Sequence, residues 1–310
     1  MAKAKKIKNF NPEKMSGGQV AAQWIMRFFL YGWGLTIAFP LYWLIATALK
    51  DNAEFMQGNV WGLPDKIFLV NFVTAWIDSD MAVRVGNSLF VTAIAVTVSI
   101  LILTTNTYVL CKYDFKFIHA LEKFYFVCMM IPMALLLVPQ YMQVASLGRW
   151  IEAIVQKFNP DFTLVLTDSL VTLGIIYGLG GICGGLYLLN GFTRRINNSF
   201  IEAAKIDGAG EWYIYSKVIM PFLKPIVMFE VLTKSMGNWN EYLTALTFLE
   251  SEEHYTVAVG IDKLVRQYTY QSDYGAVFAG MFISMIPILI LYCLFQKQIQ
   301  NGMDIDTGLK

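Results

Sequence analysis

Residues 85–110 read VGNSLFVTAIAVTVSILILTTNTYVL, a run of 26 residues without a single Asp, Glu, Lys or Arg. A helix rises about 1.5 Å per residue, so this run is long enough to cross the roughly 30 Å hydrocarbon core of a bilayer. The rest of the 310-residue chain agrees with it: 56% of residues are hydrophobic and only 15% are charged, against about 25% charged in an ordinary soluble domain. Further apolar runs of comparable length occupy residues 24–49, 124–145, 164–189 and 276–295, and one more starts near Pro221 and fades into the polar cluster around Asn238. The pattern predicts an all-α membrane protein with about six transmembrane helices. Pro287 lies inside the last run, where neighbouring helices or polar side chains can satisfy the freed carbonyl.

Charge sets the expected orientation. One set of loops and tails holds Lys3, Lys5, Lys6, Lys8, Lys14, Lys112, Lys116, Lys123, Arg194, Arg195, Lys205, Lys217, Lys297 and Lys310. The opposite set holds half as many: Lys50, Lys66, Arg84, Arg149, Lys157, Lys263 and Arg266. The positive-inside rule therefore predicts that both termini are cytoplasmic. The expected organisation is an N-terminal tail at 1–23, a membrane domain at 24–295 with a cytoplasmic loop at 190–220, and a C-terminal tail at 296–310. The first run, at about 25 residues, is too long for the apolar region of a signal peptide, so it is expected to be retained. Residues 51–84 are long enough for a small cap or a re-entrant piece.

Several function classes fall away. A formal net charge of +1 lacks the basic excess of a nucleic-acid-binding protein. Cys111, Cys128, Cys183 and Cys293 are scattered singly and form neither a disulfide framework nor a zinc pattern. His119 and His254 stand alone in loops, no metal ligand set or cofactor site is expected, and no paired catalytic constellation emerges. There is no Gly-x-x-x-x-Gly-Lys-Ser/Thr sequence, so the chain carries no Walker loop of its own. The glycines from Gly178 to Gly185 lie inside an apolar run and are read as close helix packing.

Between the fourth and fifth runs stands Phe200-Ile-Glu-Ala-Ala-Lys-Ile-Asp-Gly-Ala-Gly210, followed by Val218-Ile-Met-Pro221 and Pro225. It reads as a helix ended by a left-handed Gly208, then a second short helix over about 211–218 that stops at Pro221. The result is a compact knob. Ala203, Ala204 and Ala209 would let another surface approach closely, and Glu202 and Asp207 offer orienting charge. This Glu-Ala-Ala-x-x-Asp-Gly-Ala pattern resembles the cytoplasmic coupling loop of membrane subunits of bacterial ATP-binding-cassette importers, in the carbohydrate-uptake branch that includes the smaller maltose permease subunit. Asn71-Phe72, Asn87-Ser88, Pro132, Pro139, Gly191-Phe192, Trp239-Asn240-Glu241 and the glycine-containing tail after Phe295 fall where that family places similar residues. Met220 in place of leucine and Thr107-Tyr108 in place of alanine-tyrosine depart from it mildly.

The resemblance implies a permease subunit without enzymatic activity, in a bacterial cytoplasmic membrane. Its expected partners are a second, different permease, two ATPase subunits, an extracytoplasmic solute-binding protein, membrane lipid and a sugar or oligosaccharide. Glu202, Ala203, Ala204, Asp207, Gly208 and Ala209 would dock on the ATPase. Asn238, Trp239, Asn240 and Glu241, with Gln140 and Tyr141, are candidates for the substrate pathway, because aromatic faces stack on sugar rings while amides and carboxylates bind hydroxyls. The bland alternative is that they pack in a subunit interface. Glu230 and Lys234, spaced i, i+4, are expected to pair. An ion-coupled secondary transporter using Glu230, Lys234 and Asp168 is the rival class, although no internal repeat is evident.

Overall fold

The computed structural model describes residues 17–113, 116–270 and 273–304, and among these the chain is helical with no strand. The first helix, α1 (Gly17–Ala48), begins inside the expected N-terminal tail. Residues 1–16 and 305–310, the outer parts of both tails, lie outside the described residues. Helix α1 exposes apolar side chains all along its length, with Phe28, Phe29, Tyr31, Trp33 and Leu35 each about 70% accessible. Only its end, Ala46, Thr47 and Ala48, is buried. Such a helix is stable only with lipid or another chain around it.

The segment after α1 is a cap. It contains α2 (Asn52–Met56) and α3 (Val70–Val73), which continues into a wide turn at Thr74–Asp78. Lys50 is fully buried and donates to the carbonyl of Asn59 at 2.7 Å. Asn71 donates to the carbonyls of Ala48 at 2.9 Å and Lys50 at 2.7 Å, sewing the cap onto the end of α1.

Helix α4 (Met81–Lys112) is the predicted second span and the central post of the fold. After it come α5 (Ile118–Met129), α6 (Met133–Val155), α7 (Leu170–Leu179) and α8 (Ile182–Thr193). The chain continues through α9 (Ser199–Ile206), α10 (Glu211–Tyr213), α11 (Met220–Asn240), α12 (Leu243–Phe248), α13 (Val257–Tyr270) and α14 (Tyr274–Asp304). Helix α4 packs against α7, α8, α11 and α13, while α14 closes the other side against α1, α11 and α13. The contact of α7 with α4 requires glycine: a Cβ on Gly178 would lie 2.8 Å from Val98 Cβ and 2.9 Å from the carbonyl oxygen of Ala95. The backbones approach this closely only because no side chain intervenes.

Among the described residues, three helical stretches are each long and apolar enough to cross a membrane, Val20–Ala48, Met81–Lys112 and Tyr274–Gln296. The third and fourth predicted runs are bent pairs. Helices α5 and α6 meet at 102°, because Pro132 has no N–H to donate and biases Ile131 away from helical geometry. Helices α7 and α8 meet at 46° around Gly180 and Gly181. The fifth run forms α11, but Lys224, Glu230 and Lys234 make it too polar to qualify by composition. One boundary differs from expectation. The helix does not stop at Pro221: a wide turn over Ile214–Ile219 joins α10 to α11, and Pro221 sits in the first turn of α11, where a missing N–H is tolerated.

Candidate functional site

The knob between α8 and α11 is built by local backbone chemistry. Gly208 has φ +79°, the left-handed value that ends a helix with least strain at glycine. Its N–H donates to the carbonyl of Lys205 at 3.0 Å, and the N–H of Ala209 donates to that of Ala204 at 2.9 Å. This pair of bonds is a Schellman motif, which satisfies the last carbonyls of α9. Ala204 and Ala209 pack on a buried cluster that includes Leu103, Leu189, Ile201, Ile214 and Ile219, anchoring the knob on α4 and α8. Glu202, Ala203, Asp207 and Gly208 remain exposed. Of these, Ala203, Asp207 and Gly208, together with Phe200 and Tyr213, border a concave surface of about 610 Å³. Ile206 and Trp212 are 86% and 74% accessible beside it, two large apolar side chains that the sequence reading did not single out.

Glu211 is the other residue the sequence reading passed over. Its carboxylate accepts from the hydroxyls of Tyr108, at 2.9 Å, and Tyr113, and pairs with Lys205 at 3.0 Å. One side chain thus bridges both arms of the knob and the end of α4. The Tyr113 hydrogen bond first, then those from Lys205 and Tyr108, hold the Glu211 carboxyl below the usual carboxylate range. The only signal in the sequence was an acid in the first turn of a helix, which ordinary capping explains.

The candidate pathway residues occupy different settings. Trp239 is 3% accessible, packs with Met81, Val257 and Leu264, and donates through Nε1 to the carbonyl of Ser284 at 3.1 Å. Its ring has almost no free face for stacking. Glu241 caps α12, accepting from the backbone of Thr244 at 2.9 Å and Ala245 at 3.2 Å, and it also accepts the Tyr177 hydroxyl at 2.5 Å. Tyr141 reaches the same helix, its ring centroid 5.3 Å from that of Phe248 and its hydroxyl 3.3 Å from Glu250. Gln140 and Asn238 are half-buried, and Asn240 is exposed. Asn240 borders an open hollow of 360 Å³ with Tyr242, Ser284 and Trp239.

Glu230 and Lys234 do not form the expected ion pair. Lys234 donates instead to the carbonyl of Gly180, which the break between α7 and α8 leaves without a helical partner. Glu230 is buried against Gly185, where a Cβ would lie 2.6 Å from its carboxylate oxygen. The ammonium is taken up by the freed carbonyl, which only the fold brings within reach.

Asp168 is a latch. With φ +55° it accepts from the backbone N–H groups of Glu250 at 2.9 Å and Ser251 at 3.0 Å and from the Ser251 hydroxyl, and it lies 3.1 Å from His254 Nδ1. Burial alone would raise its pKa, but the Ser251 and Glu250 hydrogen bonds outweigh that and bring it down to about 2. A depressed carboxylate pKa stabilises the fold above the unfolded value and loses that contribution as pH falls through the folded one. The latch is therefore fully formed at neutral pH and opens as pH drops from about 4 toward 2. Asp168→Asn keeps a residue tolerant of positive φ while removing the charge. It is expected to destabilise the segment around residues 249–256 by about 2 kcal/mol at pH 7. Faster limited proteolysis there checks this; unchanged protection at pH 7 would contradict it.

A family model described as "Binding-protein-dependent transport system inner membrane component" matches residues 109–304, more than half of the chain and all of the knob. A diacetylchitobiose uptake system permease protein of Streptomyces coelicolor is 24% identical over 275 residues, covering 89% of this chain and 85% of its own. Among solved structures, a chain from a bacterial ABC transporter involved in import of the acidic polysaccharide alginate superposes with a TM-score of 0.76 at 22% identity, covering 92% of this chain and 98% of its own. A chain of a bacterial alginate ABC transporter in complex with an alginate pentasaccharide-bound periplasmic protein superposes with a TM-score of 0.64 at 12% identity, covering 89% and 94%.

Proposed function

Because the chain belongs to the family of binding-protein-dependent transport system inner membrane components, we propose that it is a permease subunit of an ATP-driven importer of sugars or oligosaccharides. The family match carries this reading, since the matched residues contain the Glu202 to Ala209 knob. The chitobiose permease relative and the alginate transporter neighbours support carbohydrate as the substrate class. Ion-coupled transport is not supported: the family match and the permease relative point to a binding-protein-dependent importer, and Asp168 and Lys234 are engaged by the Ser251 loop and the Gly180 carbonyl.

The chain works with a second permease, two ATPase subunits and a solute-binding protein, in a bacterial cytoplasmic membrane with both termini inside. The concave surface bounded by Ala203, Asp207, Gly208 and Tyr213 receives the ATPase, with exposed Ile206 and Trp212 as apolar anchors. Closure of the ATPase dimer on ATP moves the knob, and the knob drags the elements to which it is fastened. The Ile201, Ile214 and Ile219 cluster and the Glu211 hydrogen bonds transmit that displacement to α4 and α8. ATP drives the cycle because it binds the closed state better. In the pathway, Asn240 and Gln140 contact the sugar, whereas Trp239, Glu241 and Tyr141 hold α12 and its neighbours in place.

Affinity purification of the tagged chain in mild detergent tests the assembly. Recovery of a Walker-bearing ATPase and a second multispan protein, giving ATP-dependent sugar uptake with a binding protein in proteoliposomes, is the expected result. A chain that elutes alone after crosslinking, with uptake independent of ATP, would overturn the reading.

A further inference from the structure

One hollow lies away from the knob and the polar cluster, between α5 and α8. The two helices run antiparallel, so Glu122 meets Arg194, Phe126 meets Tyr187 with ring centroids 6.3 Å apart, and Met129 lies against Gly184. The groove they enclose has a volume of about 750 Å³, within the roughly 300–1,000 Å³ of small-molecule sites. Its chemistry changes along its length. One end is lined by Lys123, Arg194 and Arg195 together with the acid Glu122. One to two turns further in, the walls are Phe126, Val127, Leu186 and Tyr187. The basic end coincides with the loops richest in Lys and Arg, which the positive-inside rule places at the cytoplasmic face.

A ligand complementary to this gradient has a negative head at the membrane surface and an apolar tail directed along the helices into the hydrocarbon. We propose that the α5–α8 groove binds an anionic phospholipid of the surrounding bilayer, its phosphate at Lys123, Arg194 and Arg195 and an acyl chain along Phe126 and Tyr187. Three observations favour a lipid over a polypeptide occupant. The cationic side chains lining one end match a phosphate. Phe126, Val127 and Tyr187 are 50%, 58% and 66% accessible on helices that each belong to a bent pair of membrane composition. The guanidinium of Arg194, 56% accessible, can turn from Glu122 toward a headgroup. Juxtamembrane basic residues each contribute about 1 kcal/mol to such binding.

The test uses the chain purified with its partners and reconstituted in nanodiscs of phosphatidylcholine with or without phosphatidylglycerol. Native mass spectrometry after mild delipidation reads the lipid retained. Phosphatidylglycerol is expected to be retained over phosphatidylcholine, and Lys123→Gln to cut that preference about fivefold. Lys123→Gln plus Arg195→Gln should cut it further, with phosphatidylcholine retention unchanged. Equal retention of both lipids, or an undiminished preference in the double variant, would overturn the proposal. So would crosslinking of a photoreactive residue at Tyr187 to a second protein rather than to lipid, which would make the groove a subunit interface. The readout is lipid mass, so it succeeds or fails independently of ATPase recovery.

Discussion

Gly208→Pro is expected to abolish sugar uptake and release the ATPase while the chain still inserts into the membrane at a normal level. Gly208 stands at φ +79°, and proline is locked near −65°. The substitution also deletes the N–H that donates to Lys205. The Ala209 to Ala204 bond cannot survive the change in chain direction, so both alanines leave the cluster formed with Ile201, Ile214 and Ile219. Proline where its backbone geometry is not available costs about 3 kcal/mol or more, concentrated on a turn at the edge of the cluster it shares with α4. Gly208→Asn is the control: asparagine tolerates the left-handed region and keeps its N–H, so it should retain most uptake. Glu202→Ala, which leaves the turn intact, should weaken ATPase recovery without disordering the knob. Uptake assays, ATPase recovery and quantification of the chain in membranes give the three readouts. Normal transport by Gly208→Pro would remove the knob from the mechanism.

The second large effect is expected at Glu211. Glu211→Ala removes the acceptor shared by Tyr108, Tyr113 and Lys205. The Tyr108 hydroxyl, on a side chain only 6% accessible, then loses its carboxylate acceptor, and buried polar groups left short of partners are costly. The knob would still dock, since Ala203, Asp207 and Gly208 are untouched, but it would no longer pull α4. Transport is expected to fall at least about tenfold, while binding-protein-independent ATP hydrolysis persists or rises. Glu211→Gln keeps an oxygen acceptor for the tyrosines and loses the Lys205 ion pair, so it should recover a substantial part of transport. Because the folded carboxyl is held below its usual range, its contribution is present above the unfolded pKa and lost only as pH falls through the folded one. Coupling is therefore insensitive to this group near neutral pH. A parallel fall of transport, hydrolysis and assembly in Glu211→Ala, unrelieved in Glu211→Gln, would reduce the residue to a purely structural part.

The pathway residues illustrate a different relation between pattern and position. Trp239, Asn240 and Glu241 form one contiguous polar-aromatic word in the sequence, yet the helix end separates them. Trp239 turns into the core formed with α13 and α14, Glu241 turns to the N-terminus of α12, and Asn240 alone remains exposed. Successive helical positions point about 100° apart, so three adjacent residues suited to a sugar cannot all face one cavity.

What the sequence determined by itself rests on local chemistry. Long uncharged runs require a bilayer, glycine after Ala-Lys-Ile-Asp specifies a left-handed turn, and the Glu-Ala-Ala-x-x-Asp-Gly-Ala pattern marks the family. Each can be read from a window of a few to 26 residues. The tertiary structure decided the rest. Glu211 meets Tyr113 and Tyr108 across 98 and 103 positions of chain. Lys234 abandons the acid four residues away for a carbonyl 54 positions back, and Asp168 holds a loop 82 positions ahead. The helix also runs on through Pro221, which a local reading takes for a stop. These choices are settled by which unpaired donors and acceptors the packed helices bring within about 3 Å, a competition that no single stretch of sequence contains.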